Sequence, residues 1–151
     1  MNQILSELTF ETTGEGFVNI TSHINNWITS NKIIKGILII SCKHTSCSLT
    51  INENADPRVL KDLLNYIKAI VPEKRFISLD GNFTKTSYLH SEEGLDDMPA
   101  HIKTMLTNSN LSLSIEDSRL VLGTWQAIYL WEHRYSGNSR RLHLHAIGEI
   151  S

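Results

Sequence analysis

Three histidines stand where their side chains could do chemistry. His44, His90 and His101 lie at expected joints between elements, and catalytic or binding residues are concentrated at such loops and element ends. Three ligands of this kind plus a water form the coordination set of a catalytic zinc site, to which Asp97 or Glu53 would add a carboxylate. The spacing matches no standard metal motif, so each histidine has the alternative role of a hydrogen-bonded structural residue.

A second pattern joins an acid, an imidazole and several cations. Asp97 lies four residues before His101, so on a helix its carboxylate would stand one turn before the imidazole and orient it. The alternative is a plain N-cap aspartate, and the two roles are compatible. The first turn of such a helix offers free N–H groups that favour a phosphate. Lys103 and the pair Arg140 and Arg141 would add cations, although each is also typical of a solvated surface charge.

Size and charge exclude several function classes. The 151 residues predict a single domain, residues 1–151, and the net charge is -2. Such a balance gives no broad attraction to nucleic acid or to an anionic membrane, so we expect neither as a partner. No apolar run approaches the roughly 20 residues of a membrane span. The first residues show no basic segment leading into an apolar one, so we expect a cytoplasmic protein without a secretory signal.

The two cysteines, Cys42 and Cys47, are predicted to be small core residues. Their spacing fits neither a Cys-x-x-Cys motif nor a zinc ribbon, and a cytoplasmic chain keeps its thiols reduced. On one continuous strand an even and an odd position point to opposite faces, so we expect two free thiols and no disulfide. A turn at His44 would defeat this parity argument.

Hydrophobic periodicity predicts an α+β fold, with mainly antiparallel, sandwich-like sheets and two or three short helices. Strands are predicted at residues 4–10, 36–40, 46–51, 111–115, 120–122, 125–132 and 142–147. The continuous apolar run at 36–40 is typical of a strand buried on both faces. The last four strands are spaced like a meander, and the weak pattern of residues 72–94 predicts a long, partly irregular loop.

Capping signals predict where the helices begin. Ser22 would cap a first helix with an apolar stripe at Ile24, Trp27 and Ile28. Asp56 at the N-cap and Pro57 at the first position start the clearest helix, which ends at Pro72. A third, shorter helix follows a cap at Asp97.

The unusual residues fall into five segments that occur in a fixed order. They read HTSCSLTINENADP at 44–57, His90 followed by DMPAHIK at 97–103, LGTWQ at 122–126, WEHR at 131–134 and GNSRR at 137–141. Together they resemble the YjbQ-type family, also called the secondary thiamine-phosphate synthase family, over essentially the whole chain. The resemblance implies a β-rich fold and a homotrimer with sheets packed around a threefold axis. It also implies a weak, secondary activity that joins a pyrimidine pyrophosphate to a thiazole phosphate, giving thiamine phosphate and pyrophosphate.

Within these motifs we assign three overlapping sets of candidate residues. The candidate catalytic residues are His44, His101, Asp97 and Glu53. The candidate substrate-binding residues are Ser46, Lys103, Thr124, Gln126 and Arg140. The candidate metal ligands are His90, His101 and His44.

Strand geometry limits which of these residues can meet in one chain. At ~3.3 Å per residue, His44 and Glu53 lie ~30 Å apart along an extended run, and Gln126 and Glu132 lie ~20 Å apart. A trimer would resolve this separation if one site drew residues from two neighbouring subunits. His44 and His101 would then reach a given site from different chains.

The leading hypothesis is a small trimeric enzyme that acts on a phosphorylated or pyrophosphorylated small molecule. A divalent metal, zinc or magnesium, or the cations Lys103 and Arg140, would neutralise a leaving pyrophosphate. One alternative is a non-catalytic trimer that binds a phosphorylated metabolite in the same pocket. The other alternative is a metal-dependent hydrolase.

Overall fold

Alternating apolar side chains build most of the structure, because every second residue of a strand faces the same side of its sheet. The computed structural model describes residues 1–151. In chain order the elements are β1 (Asn2–Glu11), β2 (Gly16–Asn19), α1 (Thr21–Ser30), β3 (Ile33–Cys42), β4 (Cys47–Glu53), α2 (Pro57–Ile70), β5 (Arg75–Ile77), β6 (Lys85–Ser87), α3 (Asp97–Leu106), β7 (Asn110–Glu116), β8 (Arg119–Leu120), β9 (Gln126–Glu132) and β10 (Ser139–Ile150).

Two antiparallel sheets pack face to face. The large sheet has the strand order β1-β10-β3-β7-β8 and the small sheet has the order β2-β9-β4, while β5 and β6 form a separate hairpin. Inward-facing side chains of both sheets and of α1 form a core of 17 buried residues, which includes Trp27, Leu38, Leu49, Leu130 and Leu144. The predicted α+β class with mainly antiparallel sheets and a few short helices is therefore confirmed.

The predicted meander of the last four strands is wrong. Only β7 and β8 pair as neighbours, because β9 lies between β2 and β4 while β10 lies between β1 and β3. Spacing along the chain does not select the partner of a strand, since an alternating pattern packs equally well beside a distant strand. The expected loop at residues 72–94 is also more ordered than predicted, because it contains the β5–β6 hairpin.

β3 is buried on one face only, so the prediction of two buried faces is wrong. Leu38 and Ile40 are fully buried in the core, whereas Ile37 is 55% exposed on the opposite face. Ile37 pairs with Ile147 of β10, and the next inter-strand row on this face contains Leu5, His145 and Ile39 in that order. Four residues, Leu5, Ile37, Ile39 and Ile147, form an outer apolar patch on the solvent side of the large sheet, which His145 interrupts between Leu5 and Ile39. An apolar run of this kind therefore does not by itself indicate that both faces of a strand are buried.

α2 begins as the sequence predicts. Pro57 is its first residue, and the Asp56 carboxylate accepts a hydrogen bond from the Arg58 backbone N–H at 2.9 Å. α1 begins one residue before the predicted cap: Thr21 is its first residue, and the Asn19 side chain accepts from the Thr21 N–H. Its predicted apolar stripe is buried.

α2 and α3 lie over the outer face of the small sheet. Trp131 of β9 points away from the main core and packs with Ile67 and Val71, and Ile102 of α3 lies against the same cluster. This second apolar layer fixes α3 relative to the ends of β4 and β9. None of the three helices is long and apolar enough to span a membrane.

Candidate metal centre

α3 and the loop before it bring two imidazoles and one carboxylate together. Asp97 and His101 lie one turn apart on α3, and His90 comes from the segment after β6. The His90 Nε2 atom lies 2.7 Å from Asp97 Oδ2, and the His101 Nε2 atom lies 3.4 Å from the same oxygen. One donor atom from each residue lies within 4.8 Å of the other two. Two of the three predicted metal ligands therefore meet, with Asp97 as the third member.

Asp97 was predicted to be the N-cap of α3, but it is the first residue of the helix. Asp96 takes the N-cap position and makes no side-chain capping bond. The Asp97 carboxylate instead turns into the cluster, where its side chain is 3% exposed. Its second oxygen accepts from the Arg134 guanidinium, which also contacts Asp96. The other oxygen, Oδ2, is within hydrogen-bond distance of His90 Nε2 and also faces His101 Nε2.

A backbone carbonyl fixes the ring of His101. The His101 Nδ1 atom lies 2.8 Å from the Thr45 carbonyl oxygen, which can only accept, so Nδ1 carries the proton. The Nε2 atom of a neutral ring is then unprotonated and points at Asp97. Metal-ligating histidines commonly use this arrangement, in which the second ring nitrogen donates to a carbonyl or carboxylate.

The cluster borders a cleft and is open on that side. The His90 side chain is 49% exposed and that of His101 is 33% exposed, in contrast to the buried Asp97. A cavity of about 170 Å³ adjoins the cluster at His90 and is lined by Glu73, Lys74, Ser87, Tyr88, His90, Ser91, Gly94, Leu95, Met98 and Pro99. Two imidazoles and one carboxylate with free space beside them match a three-ligand catalytic zinc site. The same donors suit magnesium poorly, because magnesium prefers an octahedron of oxygens.

His44, the other predicted metal ligand, is engaged elsewhere. Its Nε2 atom accepts the Arg141 backbone N–H at 2.8 Å, so the lone pair a metal would need is already used. Burial, followed by the nearby charges of Arg140 and Arg141, lowers the pKa of His44 and keeps it neutral. Within one chain the loop carrying His44 also contacts His101 through the Thr45 carbonyl. The two histidines therefore lie at the same end of the fold, whereas we expected them to need different chains.

Lys103 and Arg140, which we expected to contact a phosphate, are each paired with a carboxylate inside the protein. The Lys103 ammonium is buried and lies 3.0 Å from Glu15. The Arg140 guanidinium, also buried, donates through two nitrogens to the fully buried Glu132 carboxylate. A buried cation needs a fixed anionic partner to offset its desolvation. Both residues stabilise the interior, and neither has a free face for a substrate.

The remaining predicted residues divide between the two ends of the small sheet. Ser46 lies at the His101 end, where its carbonyl accepts from Arg140. Glu53 and Gln126 are register partners at the opposite end of the ladder, ~20 Å away at ~3.3 Å per residue. Thr124 lies in the exposed loop before β9, beside Gln126, whose side chain accepts from the Gly123 N–H. The chain therefore carries two separate groups of candidate residues.

Sequence reasoning assigned no role to His133 or Arg134. The His133 Nε2 atom lies 2.8 Å from the buried Ser48 hydroxyl, and its Nδ1 atom is buried without a partner. Burial, followed by the charges of Lys103 and Arg140, lowers the pKa of His133 to about 3. Both residues lie just after a strand that reads as core, so the only sequence signal was their place in the WEHR motif.

Comparisons with known proteins agree on one family. The YjbQ family, described as UPF0047 protein YjbQ-like, matches residues 6–149. The UPF0047 protein sll1880 of Synechocystis is 41% identical over 143 residues, which cover 95% of this chain and 90% of that protein. The UPF0047 protein YjbQ of Escherichia coli O157:H7 is 39% identical over 136 residues, covering 89% and 91%.

Solved structures show the same fold. An uncharacterised conserved protein of the YjbQ/UPF0047 family from Clostridium acetobutylicum superposes with a TM-score of 0.79 at 30% identity, covering 94% of this chain and 99% of that one. The conserved hypothetical protein TT1486 from Thermus thermophilus gives a TM-score of 0.74 at 30% identity, covering 94% and 99%.

Proposed function

The chain belongs to the YjbQ-like UPF0047 family, and we propose that it is a zinc-dependent enzyme acting on a phosphorylated or pyrophosphorylated small molecule. Thiamine-phosphate synthase-like transfer is its side activity under this proposal. The observation that carries it is the convergence of His90, Asp97 and His101 within 4.8 Å beside an open cleft. Structural zinc sites use four protein ligands, whereas catalytic sites keep one position free for water or substrate.

Each part of the centre has a role in this reaction. Zinc would neutralise charge on a phosphate or pyrophosphate group, which eases its departure or its attack by another atom. The Thr45 carbonyl and the Arg134 guanidinium hold His101 and Asp97 in position, so that the ligands need little rearrangement. Lys74 lines the cleft and is solvent-exposed, so it is the cation available for a second phosphate oxygen. It replaces Lys103 and Arg140 in the role that the sequence suggested for them.

A metal-dependent hydrolase is the second candidate, because the open position beside three protein ligands suits a bound water. The two candidates differ in products. Transfer from the pyrimidine pyrophosphate requires the thiazole phosphate and yields thiamine phosphate with pyrophosphate. Hydrolysis needs no second substrate and releases phosphate or pyrophosphate into solution. A protein that only binds the ligand would yield neither product.

We also propose that the protein works as a cytoplasmic homotrimer. The outer apolar patch supports association, because Leu5 is 57% exposed and Ile37 is 55% exposed on a sheet face that no element of the chain covers. Association would also allow the Glu53 end of one chain to approach the His101 end of another. In one chain these ends are separated by the length of β4.

The test is an assay of metal-free and zinc-loaded protein with both substrates present and with each alone. We expect product only with zinc, and we expect His101→Ala to lower turnover by on the order of 100-fold or more. His23→Ala, which changes an exposed histidine on α1, is the matched control and should keep full activity. Thermal melting of each variant separates loss of the site from loss of the fold. Equal turnover by metal-free protein, or by folded His101→Ala, would refute the proposal.

A further inference from the structure

The two cysteines meet across the gap between the sheets. Cys42 ends β3 in the large sheet and Cys47 begins β4 in the small sheet. Their Sγ atoms are 3.2 Å apart, with Cys42 Sγ also 3.4 Å from the Cys47 carbonyl oxygen. The parity argument therefore predicted their direction wrongly, because the chain turns between them rather than continuing as one strand. Both are free thiols here.

Little movement separates this thiol pair from a covalent bond. A disulfide has sulfurs about 2.05 Å apart, so the two atoms need to approach by only about 1 Å. Both ends of the connecting loop are fixed: the Cys42 N–H donates to the Ser109 carbonyl at 2.8 Å, and Cys47 pairs with Glu132 in the ladder of the small sheet. The fold therefore keeps the sulfurs together even when they are not bonded.

The two thiols differ in accessibility, which gives each a role. Cys42 is half-buried, whereas Cys47 is 1% exposed. Cys42 is therefore the thiol that a dissolved disulfide such as glutathione disulfide would meet first. The hydrogen bond to Cys47 is the largest factor that lowers the pKa of Cys42, and the same bond raises the pKa of Cys47. Thiolate character thus falls on Cys42, the less buried of the two residues.

We propose that Cys42 and Cys47 form a modification site, a reversible disulfide that links the two sheets in response to low-molecular-weight disulfides. The Cys42 thiolate attacks one sulfur of glutathione disulfide, forms a mixed disulfide and releases one glutathione thiolate. Cys47 loses its proton and attacks the Cys42 sulfur, which expels the second glutathione thiolate. The two protein thiol protons end on the two released glutathione molecules, so two thiols are oxidised and one disulfide is reduced.

The proposal is independent of the zinc centre, and its test needs no metal. Reduced protein is incubated with excess glutathione disulfide, quenched in acid, treated with N-ethylmaleimide under denaturing conditions and weighed by mass spectrometry. We expect the product to be lighter than the reduced chain by two hydrogens, to carry no maleimide or glutathione, and to revert with dithiothreitol. Two maleimide-reactive thiols after exhaustive treatment would overturn the proposal.

Single substitutions separate the two roles. Cys47→Ser, or Cys47→Ala if the serine variant does not fold, should stop at one glutathione adduct on Cys42. Cys42→Ser should form no adduct while it stays folded, because Cys47 is buried. An adduct on both variants at similar rates would overturn the assignment. The oxidised protein should melt roughly 5 °C above the reduced protein, as expected for a short closed loop in a chain of this length. An unchanged midpoint of thermal unfolding would refute a link between the sheets.

Discussion

The substitution Arg140→Met tests whether Arg140 stabilises the protein interior or binds a substrate. The Arg140 side chain is 6% exposed and its partner Glu132 is 0% exposed, so the substitution leaves a carboxylate buried without its cation. Breaking a buried pair in this way costs about 3–5 kcal/mol. Glu132 keeps two other donors, the Thr12 hydroxyl and the Arg134 N–H. We therefore expect a loss near the lower end, about 3 kcal/mol.

Thermal unfolding at a fixed protein concentration measures this loss. For a chain of 151 residues, about 3 kcal/mol corresponds to a midpoint lowered by roughly 10 °C, using the usual unfolding entropy per residue. Arg141→Met is the matched control, because that side chain is 55% exposed and its replacement should change stability by less than about 0.5 kcal/mol. An Arg140→Met protein that melts with the wild type but has lost phosphate binding would refute the structural role and restore Arg140 as a substrate-binding residue.

The same structure supports three further predictions. The folded-state pKa of His133 is about 3, whereas the usual pKa of an unfolded histidine is ~6.5. The unfolded chain therefore takes up more protons below pH ~6.5. The stability that neutral His133 contributes is complete above that pH and is lost as pH falls towards 3. Urea unfolding should show a loss of about 2 kcal/mol between pH 7 and pH 5 that His133→Gln removes, and equal losses in both proteins would contradict this. Arg134→Met removes the cation that holds Asp97 and should weaken zinc binding 10–100-fold by titration calorimetry, whereas unchanged affinity would show that Arg134 does not support the centre. Ile37→Asp places a charge in the outer apolar patch and should convert a trimer into a particle of 17.1 kDa by light scattering. Ser22→Asp on α1 is the control and should leave the trimer intact. A wild-type monomer would refute the trimer itself.

The sequence predicted individual helices and strands better than it predicted which strands pair with each other. The Asp56–Pro57 start of α2 depends on neighbouring residues, and the structure has it where predicted. The run at 36–40 was predicted to be buried on both faces, but Ile37 is exposed within this chain. Apolar residues at successive positions do not by themselves show which face of a strand the core covers.

The sequence predicted which residue types form the candidate site better than it predicted which of those residues lie together. Asp97 and His101 could be paired because they lie four residues apart, and α3 has Asp97 one turn before His101. His90 was grouped with them only as a further histidine at an element joint. His44 could not be separated from them by sequence, since its lone pair is used by a backbone N–H that belongs to β10. Lys103 and Arg140 looked like surface cations because the sequence did not indicate their partners. Glu15, the partner of Lys103, is distant in the sequence, and Glu132, the partner of Arg140, belongs to a strand that reads as core.

A crystal structure of the protein with zinc, with data collected on both sides of the zinc absorption edge, would show whether the three residues bind the metal. We expect one anomalous peak per chain, about 2.0–2.2 Å from His90 Nε2, Asp97 Oδ2 and His101 Nε2, with a further position facing the cleft. The peak should be absent from His101→Ala crystals grown in the same way. No peak at these three residues in the wild type, or a zinc held by His44 instead, would refute the zinc centre.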